Sequence, residues 1–403
     1  MRILFTNTGS WGTGAGSVIE GVSQELIGLG HQVKIIFPDA GIPSADSEKY
    51  YGNPDLYHII KFPVKHGGVK FETFPLMIAD PNPRAPDAKT YKDLSEKELK
   101  SLIDLFKSEF SKAIDEFKPD VVETEHAWLM GYVFSKLGVP YVVGTHNSDQ
   151  MGFKYDERMQ PYAAECAMNS RFLFTINENA IDDLTNMYGI PRDKVIYIPN
   201  GYDQSLFKAE KLDRKTVFEK YGMHEDPDLP VVTCVAKLSK TKGIDTLIMA
   251  NAVIQSKTPC TIMIFGSGNL EDVYTDGPPP PEHLTNIRFM GHQPPAVIAE
   301  CNNIADLSVL PSRNEGFGVA ALEAMGCELP VIATDVGQMG KFVVGDVIEP
   351  DDAKGLADSV IKLLSLPNDE LQTLGAKAAS TARSYSWHDI AVKRLEYYRI
   401  AIK

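Results

Sequence analysis

Two periodicities alternate along the first forty residues. "RILFT" (Arg2–Thr6) is a short apolar run and "NTGSWGTGAG" is a glycine-rich turn; Val18, Ile19, Val22, Leu26 and Leu29 then recur at the spacing of one helix face. Ser17 and Glu20 have the S-x-x-E spacing of a capping box at the start of that helix, and Gly30 supplies its stop. "QVKIIF" (Gln32–Phe37) reads as the next strand. Strand, glycine turn, helix, strand is a βαβ unit, which predicts a parallel sheet with a right-handed crossover.

Regular patterning lapses between Ala40 and Ser95, where Pro, Gly and Asp dominate, as in "ADPNPRAPD". A stretch of that length is too long for a plain connection and predicts either a functional loop region or extra small elements. A helix over Ser95–Phe117, a strand "DVVET" and a strand "PYVVGTH" (Pro140–His146) rejoin the sheet. Near "VIYIPNG" (Val195–Gly201) the pattern resets. A second α/β alternation then runs through "VVTCVAKL", "TIMIFGSG", "IRFMGH", "ADLSVLPS" and "PVIATD", and a last helix, Trp387–Ile402, has no strand after it. The pattern predicts two doubly wound Rossmann-like domains, over 1–200 and 201–385, with the terminal helix 386–403 packing back on the first.

Composition agrees with two cores. A chain of 403 residues exceeds what one core supports. With 43% hydrophobic and 23% charged residues it is ordinary globular material. The net charge of −14 argues against a nucleic-acid partner and against a polybasic membrane face, although "KFPVKHGGVK" (Lys61–Lys70) is locally basic. The five cysteines have no CxxC spacing, which suits a reducing compartment. No stretch approaches the roughly 18 apolar residues of a membrane span, and the N-terminal run is too short for a signal peptide. The chain reads as soluble and cytoplasmic.

Chemistry concentrates in "SRNEGFGVAALEAMGCELPVIAT" (Ser312–Thr334). Glu315 leads into Gly-Phe-Gly at the mouth of a helix predicted over about Phe317–Met325, and Glu323 follows on its second turn. A helix N-terminus with amides at Gly316, Phe317, Gly318 and Val319, approachable because glycine carries no side chain, suits an anion or sugar hydroxyls. Glu323 could hold vicinal hydroxyls such as those of a ribose. In "AKLSKTKGIDTLIMA", Lys237 at a strand end and Lys242 before a helix form a natural clamp for a diphosphate leaving group. His126 lies at the carboxyl end of a strand of the first half, and His146 with Asn147 is similarly placed at the end of another. "DPD" (Asp226–Asp228) has the form of a metal-bound nucleotide site but precedes a strand, so it reads as a solvated turn, and no metal ligand is assigned.

"EGFGVAALE" resembles the E-x7-E motif of the retaining family-4 glycosyltransferases of GT-B fold. "GTGAGSVIEGVSQELIGLGHQV", "EHAWLMG", "VPYVVGTHNSD", "VIYIPNGYDQSLF" and "FMGHQPPAVIAECNNIADLSVLPSRNEGFG" extend the likeness from Arg2 to the C-terminus. The resemblance implies two domains facing across a cleft, with a nucleotide-sugar donor (a UDP-sugar favoured, GDP-mannose the alternative) and a sugar, small-metabolite or saccharide acceptor. It implies no cofactor and no metal. It places Glu315 and the amides of Gly316, Phe317 and Gly318 at the donor sugar, Glu323 at the ribose and Lys242 at the diphosphate. It also places Gly14 at the phosphates from the opposite domain, His126 beside the reacting sugar, Gly266 among the donor-binding residues, and His146 with Asn147 on the acceptor side. Lys237 departs from the family's common arginine; it keeps the charge and loses the bidentate fork. Two other readings stand beside this one. A nicotinamide-dependent oxidoreductase would use "GSWGTGAG" with Asp39 as its ribose acid. A sugar-nucleotide epimerase would share the two-domain fold and need no second acceptor.

Overall fold

The apolar runs of the first half form strands β1 (Arg2–Asn7), β2 (Gln32–Asp39), β3 (Tyr57–Lys61), β4 (Val64–His66), β5 (Val69–Phe71), β6 (Val121–Glu125), β7 (Tyr141–Thr145), β8 (Leu173–Thr175) and β9 (Val195–Tyr197). All but β4 and β5 line up as one sheet in the order β3-β2-β1-β6-β7-β8-β9, with every pair parallel. The second half supplies β10 (Val231–Val235), β11 (Thr261–Phe265), β12 (Ile287–Gly291), β13 (Leu307–Leu310), β14 (Val331–Thr334) and β15 (Gly345–Ile348). These form a second parallel sheet, β12-β11-β10-β13-β14-β15. The computed structural model describes residues 1–11, 14–41, 47–79, 87–275 and 277–403. They divide into one unit of Met1–Pro199 with Trp387–Lys403 and another of Asn200–Ser386. Each is a doubly wound α/β layer structure, the pair of domains that defines the GT-B fold.

In the first unit the terminal helix Trp387–Ala401 lies beside the helix Gly14–Gly28 on one face of the sheet. Its Ile390, Ala391, Leu395, Tyr398 and Ala401 join Ile3, Phe5, Val121 and Phe174 in one buried cluster. Each such large apolar side chain contributes about 1.5–3 kcal/mol by leaving water. Gly21 makes the helix pairing possible, because a Cβ there would lie 2.4 Å from the Trp387 ring. The helix Glu96–Phe117 covers the opposite face and carries a capping box that the sequence reading did not identify, Ser95 accepting from the Glu98 amide and Glu98 reaching back.

Two local expectations change. The first helix begins at Gly14, so Ser17 lies inside it and is no N-cap; Glu20 instead pairs with Lys49. Its stop is as expected: Gly30, at φ +83°, closes it with His31 N–H to Leu26 O (3.0 Å) and Gly30 N–H to Ile27 O (2.9 Å). The basic stretch Lys61–Lys70 runs from the end of β3 into the β4–β5 hairpin, where Lys65 and Lys70 are exposed on either side of a Gly67-Gly68 turn. The helix after Gly-Phe-Gly spans Val319–Gly326 and so retains Gly326, which the tight approach of Phe207 O (2.5 Å from a Cβ placed there) requires to be small. Asp226–Asp228 is an exposed turn in which the Asp226 carboxylate accepts the Asp228 amide (2.9 Å), as its position before β10 implied. The glycine loop's residues 12–13 lie outside the described residues.

Candidate active site

In an open parallel sheet, loops at the carboxyl ends of the strands diverge where strand order reverses, leaving a crevice. In the second unit that point falls between β10 and β13, which pair directly. The loop after β10 carries Lys237 and Lys242, and the loop after β13 carries Ser312–Glu315. Gly243, at φ +64°, lets these loops touch: a Cβ there would lie 1.8 Å from Pro311 O. Thr241 O accepts the amides of Arg313 (2.9 Å) and Asn314 (3.3 Å). The Arg313 guanidinium grips both oxygens of Asp245 (2.7 and 2.8 Å) and reaches Asp351 (2.5 Å).

That scaffold delivers one contact of chemical interest. Lys242 Nζ donates to Glu315 Oε1 at 2.7 Å, and Ser312 Oγ donates to the same oxygen at 2.9 Å. Lys237 lies half-buried in the loop that follows β10. Gly266 packs against that loop; a Cβ on it would meet Ala236 O at 2.0 Å. Its role in the structure is thus to admit the Lys237 loop closely.

Gly318 caps the following helix in a left-handed conformation (φ +99°), and a Cβ there would clash with Met339 at 2.6 Å. The Phe317 ring turns away into a stack with Phe342 (5.1 Å between centroids) and an edge contact with Tyr385, so only its amide faces the loop chemistry. Among the described residues, none of the amides of Gly316, Phe317, Gly318 and Val319 donates to a backbone carbonyl. Glu323 lies on the second turn of the helix, partly accessible at its surface yet desolvated around the carboxyl. Burial pushes its pKa up to about 8, and the Asp203 carboxylate adds to this. No hydrogen bond to that carboxyl is found among the described residues. A desolvated carboxyl without a donor is what sugar hydroxyls would satisfy.

In the first unit the reversal falls between β1 and β6, and the Thr8 hydroxyl closes it by donating to Glu125 O (3.0 Å). Gly14 begins the first helix at this edge. His126 follows β6 with φ +82°, a left-handed conformation rare for a non-glycine residue, and is 5% exposed. Its Nε2 is 3.0 Å from Ser148 Oγ, and its ring lies 5.4 Å from that of His146. Burial holds the His126 pKa down to about 4, against the opposite pull of Asp149, so it is a neutral imidazole. His146 Nε2 is 2.6 Å from Glu125 Oε2. Asn147, also left-handed (φ +73°), is the N-cap residue of the helix Ser148–Tyr155. The structure therefore unites His126, His146 and Asn147 in one unit, and Lys242, Glu315 and the helix mouth in the other.

Sequence reading missed Glu125, Asp149 and Ser148 in the first unit, and Ser312, Arg313 and Asp245 in the second. One signal was present: "VVETE" puts two carboxylates two apart, hence on one face, in a strand that is otherwise buried. The ribose acid of the nicotinamide reading does not survive, since Asp39 is buried and takes a hydrogen bond from Tyr51. Among the described residues, no group of three or more His, Cys, Asp or Glu could hold a metal ion.

Comparison with known proteins matches residues 12–206 to "Glycosyltransferase Family 4" and residues 214–381 to "Glycosyl transferases group 1". An uncharacterized glycosyltransferase of Methanocaldococcus jannaschii is 26% identical over 305 residues, covering 71% of this chain and 76% of that one. A D-inositol 3-phosphate glycosyltransferase of Segniliparus rotundus is 28% identical over 300 residues, covering 69% and 66%. The chain spans half of the corresponding enzyme of Nocardia farcinica, at 28% identity over 236 residues, which is 54% of this chain. Among solved structures, the sucrose-phosphate synthase of Thermosynechococcus elongatus superposes with TM-score 0.71 at 18% identity, covering 99% of this chain and 98% of that one. Anabaena HepE in complex with UDP gives 0.72 at 16%, covering 98% and 99%. These likenesses at low identity carry the fold.

Proposed function

The chain is a glycosyltransferase of the family 4 type, and on that premise we propose that it moves a hexosyl unit, with retention of configuration, from a nucleoside-diphosphate sugar to a hydroxyl of a soluble sugar, small metabolite or saccharide chain. The observation that carries the donor assignment is the Lys242–Glu315–Ser312 contact at the strand-order reversal of the second unit. It sits at the mouth of the helix that carries Glu323, whose carboxyl has no hydrogen-bond partner among the described residues. Lys242, with Lys237 nearby, would take up the negative charge that grows on the departing diphosphate. Glu315 and the amides from Gly316 would hold the sugar hydroxyls, and Glu323 the ribose diol. UDP is favoured as the nucleotide, in keeping with the UDP complex of the Anabaena neighbour.

The acceptor would be held by the first unit, around His126, His146 and Asn147. In the reaction, the bond from the anomeric carbon to the diphosphate oxygen breaks and a bond to the acceptor oxygen forms. The acceptor proton passes to the leaving phosphate oxygen, so a neutral His126 need only orient, not abstract. The names of the inositol-phosphate relatives support a small polyhydroxylated acceptor. No helix among the described residues is long and apolar enough to cross a membrane.

Thermal-shift screening against UDP, GDP and ADP and their sugars tests the donor half, because a ligand at 100 times its Kd stabilises the native state by about 2.7 kcal/mol. Release of nucleoside diphosphate only when an acceptor is present would support transfer; isomerisation of the donor sugar without acceptor would point to an epimerase instead.

A further inference from the structure

The buried face of β6 carries more charge than the fold requires. Glu123 and Glu125 project to the same side, both fully buried, and the helix Trp387–Ala401 covers them. That helix brings Arg394, 1% exposed, whose Nη1 stands against Glu123 Oε1 in an ion-pair contact and lies 3.7 Å from Glu125 Oε1. Tyr398 OH donates to the other oxygen of Glu123, and the guanidinium carbon lies 5.5 Å from the Phe174 ring. Removing such ions from water costs several kcal/mol each, and apolar residues of similar volume would serve packing as well or better. The cluster ends on His146, through the 2.6 Å contact from Glu125 Oε2 to Nε2. The neighbouring strand makes room for this carboxyl: Gly144 pairs with Glu125, and a Cβ there would lie 1.9 Å from Oε2.

We propose that Glu125 is a positioning residue that fixes both the ring orientation and the tautomer of His146, from a seat built by Glu123 and by Arg394 and Tyr398 of the terminal helix. The pair shares one proton. Burial raises the Glu125 carboxyl, with Asp149 adding to this, and burial lowers the His146 imidazole. The proton therefore resides on the carboxyl, whose O–H donates to Nε2. A neutral imidazole that accepts at Nε2 carries its own hydrogen on Nδ1, and this Nδ1–H is the donor offered to an acceptor oxygen. Other groups face the pair from every packed element. Asp149 accepts the His146 amide (3.1 Å) at Oδ1 and, at Oδ2, the Ala127 amide (3.4 Å) and the Tyr188 hydroxyl (3.4 Å). His126, whose ring lies 5.4 Å from that of His146, and its partner Ser148 complete the set. The functional use of the tautomer rests on the acceptor-side reading of His146 above; the tautomer itself does not.

The test is nitrogen-15 NMR of the full chain labelled at histidine, with the His146 signals identified by their loss in His146→Gln. The native protein should show His146 as the Nδ1–H tautomer, unchanged between pH 6 and 7, where the carboxyl is still protonated and the imidazole still neutral. Glu125→Gln, whose amide also donates to Nε2, should keep that tautomer, while Glu125→Leu should release the ring to the Nε2–H form. An Nε2–H or imidazolium signal for native His146 overturns the proposal, and this measurement needs no substituted protein beyond the assignment. Once an acceptor is in hand, Glu125→Leu should raise its KM about tenfold with kcat little changed, and Glu125→Gln should restore it. Correct tautomers with an unmoved KM would remove the acceptor-side reading and leave the positioning role standing.

Discussion

Lys242 and Glu315 are 73 positions apart in the chain and meet through a 2.7 Å hydrogen-bonded ion pair, with Ser312 sharing the carboxylate. A cation already partnered by a carboxylate is oriented before any phosphate arrives, and the carboxylate is oriented before any sugar. Lys242→Ala would remove both services. The expected outcome is a loss of kcat of about 10²–10³-fold, in the range for deleting one charge-stabilising group. Steady-state kinetics with a saturating acceptor would check this, and an unchanged kcat would exclude Lys242 from the leaving-group site.

Glu315 and Glu323 should differ in kind. A ribose contact persists unchanged through the reaction, so Glu323→Ala should weaken binding of the bare nucleoside diphosphate. Contacts at the reacting sugar strengthen in the transition state, so Glu315→Ala should chiefly lower turnover. Calorimetric titration of nucleoside diphosphate into both variants separates them; equal affinity in Glu323→Ala and native protein would refute the ribose assignment.

Glu323 also gives a pH signature. Its folded pKa, about 8, lies above the ordinary carboxyl value of 4.5. The folded chain therefore holds the proton that the unfolded chain releases between those limits. The stability this proton confers is complete below pH 4.5 and is lost as pH rises through 8. Glu323→Gln should thus match the native protein near pH 4.5 and exceed it above pH 8, by about 1–2 kcal/mol after allowing for the group's partial exposure. Denaturant unfolding at the two pH values would show it, and a difference independent of pH would contradict the cause given.

Gly21→Ala pits two effects against each other. Helix propensity favours alanine by about 1 kcal/mol, but the new methyl would lie 2.4 Å from the Trp387 ring. Overpacking of that kind costs about 1–3 kcal/mol, so the variant should be less stable. A higher unfolding midpoint would mean that the indole moves aside at no cost.

Transfer should survive EDTA. On the proposed donor assignment, two lysines and a helix N-terminus would place positive charge where a divalent ion would otherwise stand. Activity abolished by the chelator and restored by magnesium or manganese would show that they do not suffice.

The two sheets were legible because their strands are short apolar runs separated by helical periodicity, and both signals are local. The donor-side candidates were legible for a related reason: Glu315, Gly316, Phe317, Gly318 and Glu323 fall within nine residues of sequence, so a turn and one helix fix most of their geometry. Even there, the Lys242 partner came only with the fold, because β10 and β13 are neighbours by strand order and not by position in the chain. The first unit shows the limit more sharply. Alternation along β6 puts Glu123 and Glu125 on one face, but alternation is silent about what covers that face. The cover is the terminal helix, whose Tyr398 reaches Glu123 across 275 positions. Arg394, four residues after Ile390 and four before Tyr398, sits on that helix's buried side, a place periodicity assigns to an apolar residue. Whether it faces a hydrocarbon core or two carboxylates depends on contacts far apart in sequence. Burial then decides the chemistry: in water the same glutamate would be ionised at neutral pH, whereas here burial raises its carboxyl and lowers the imidazole beside it.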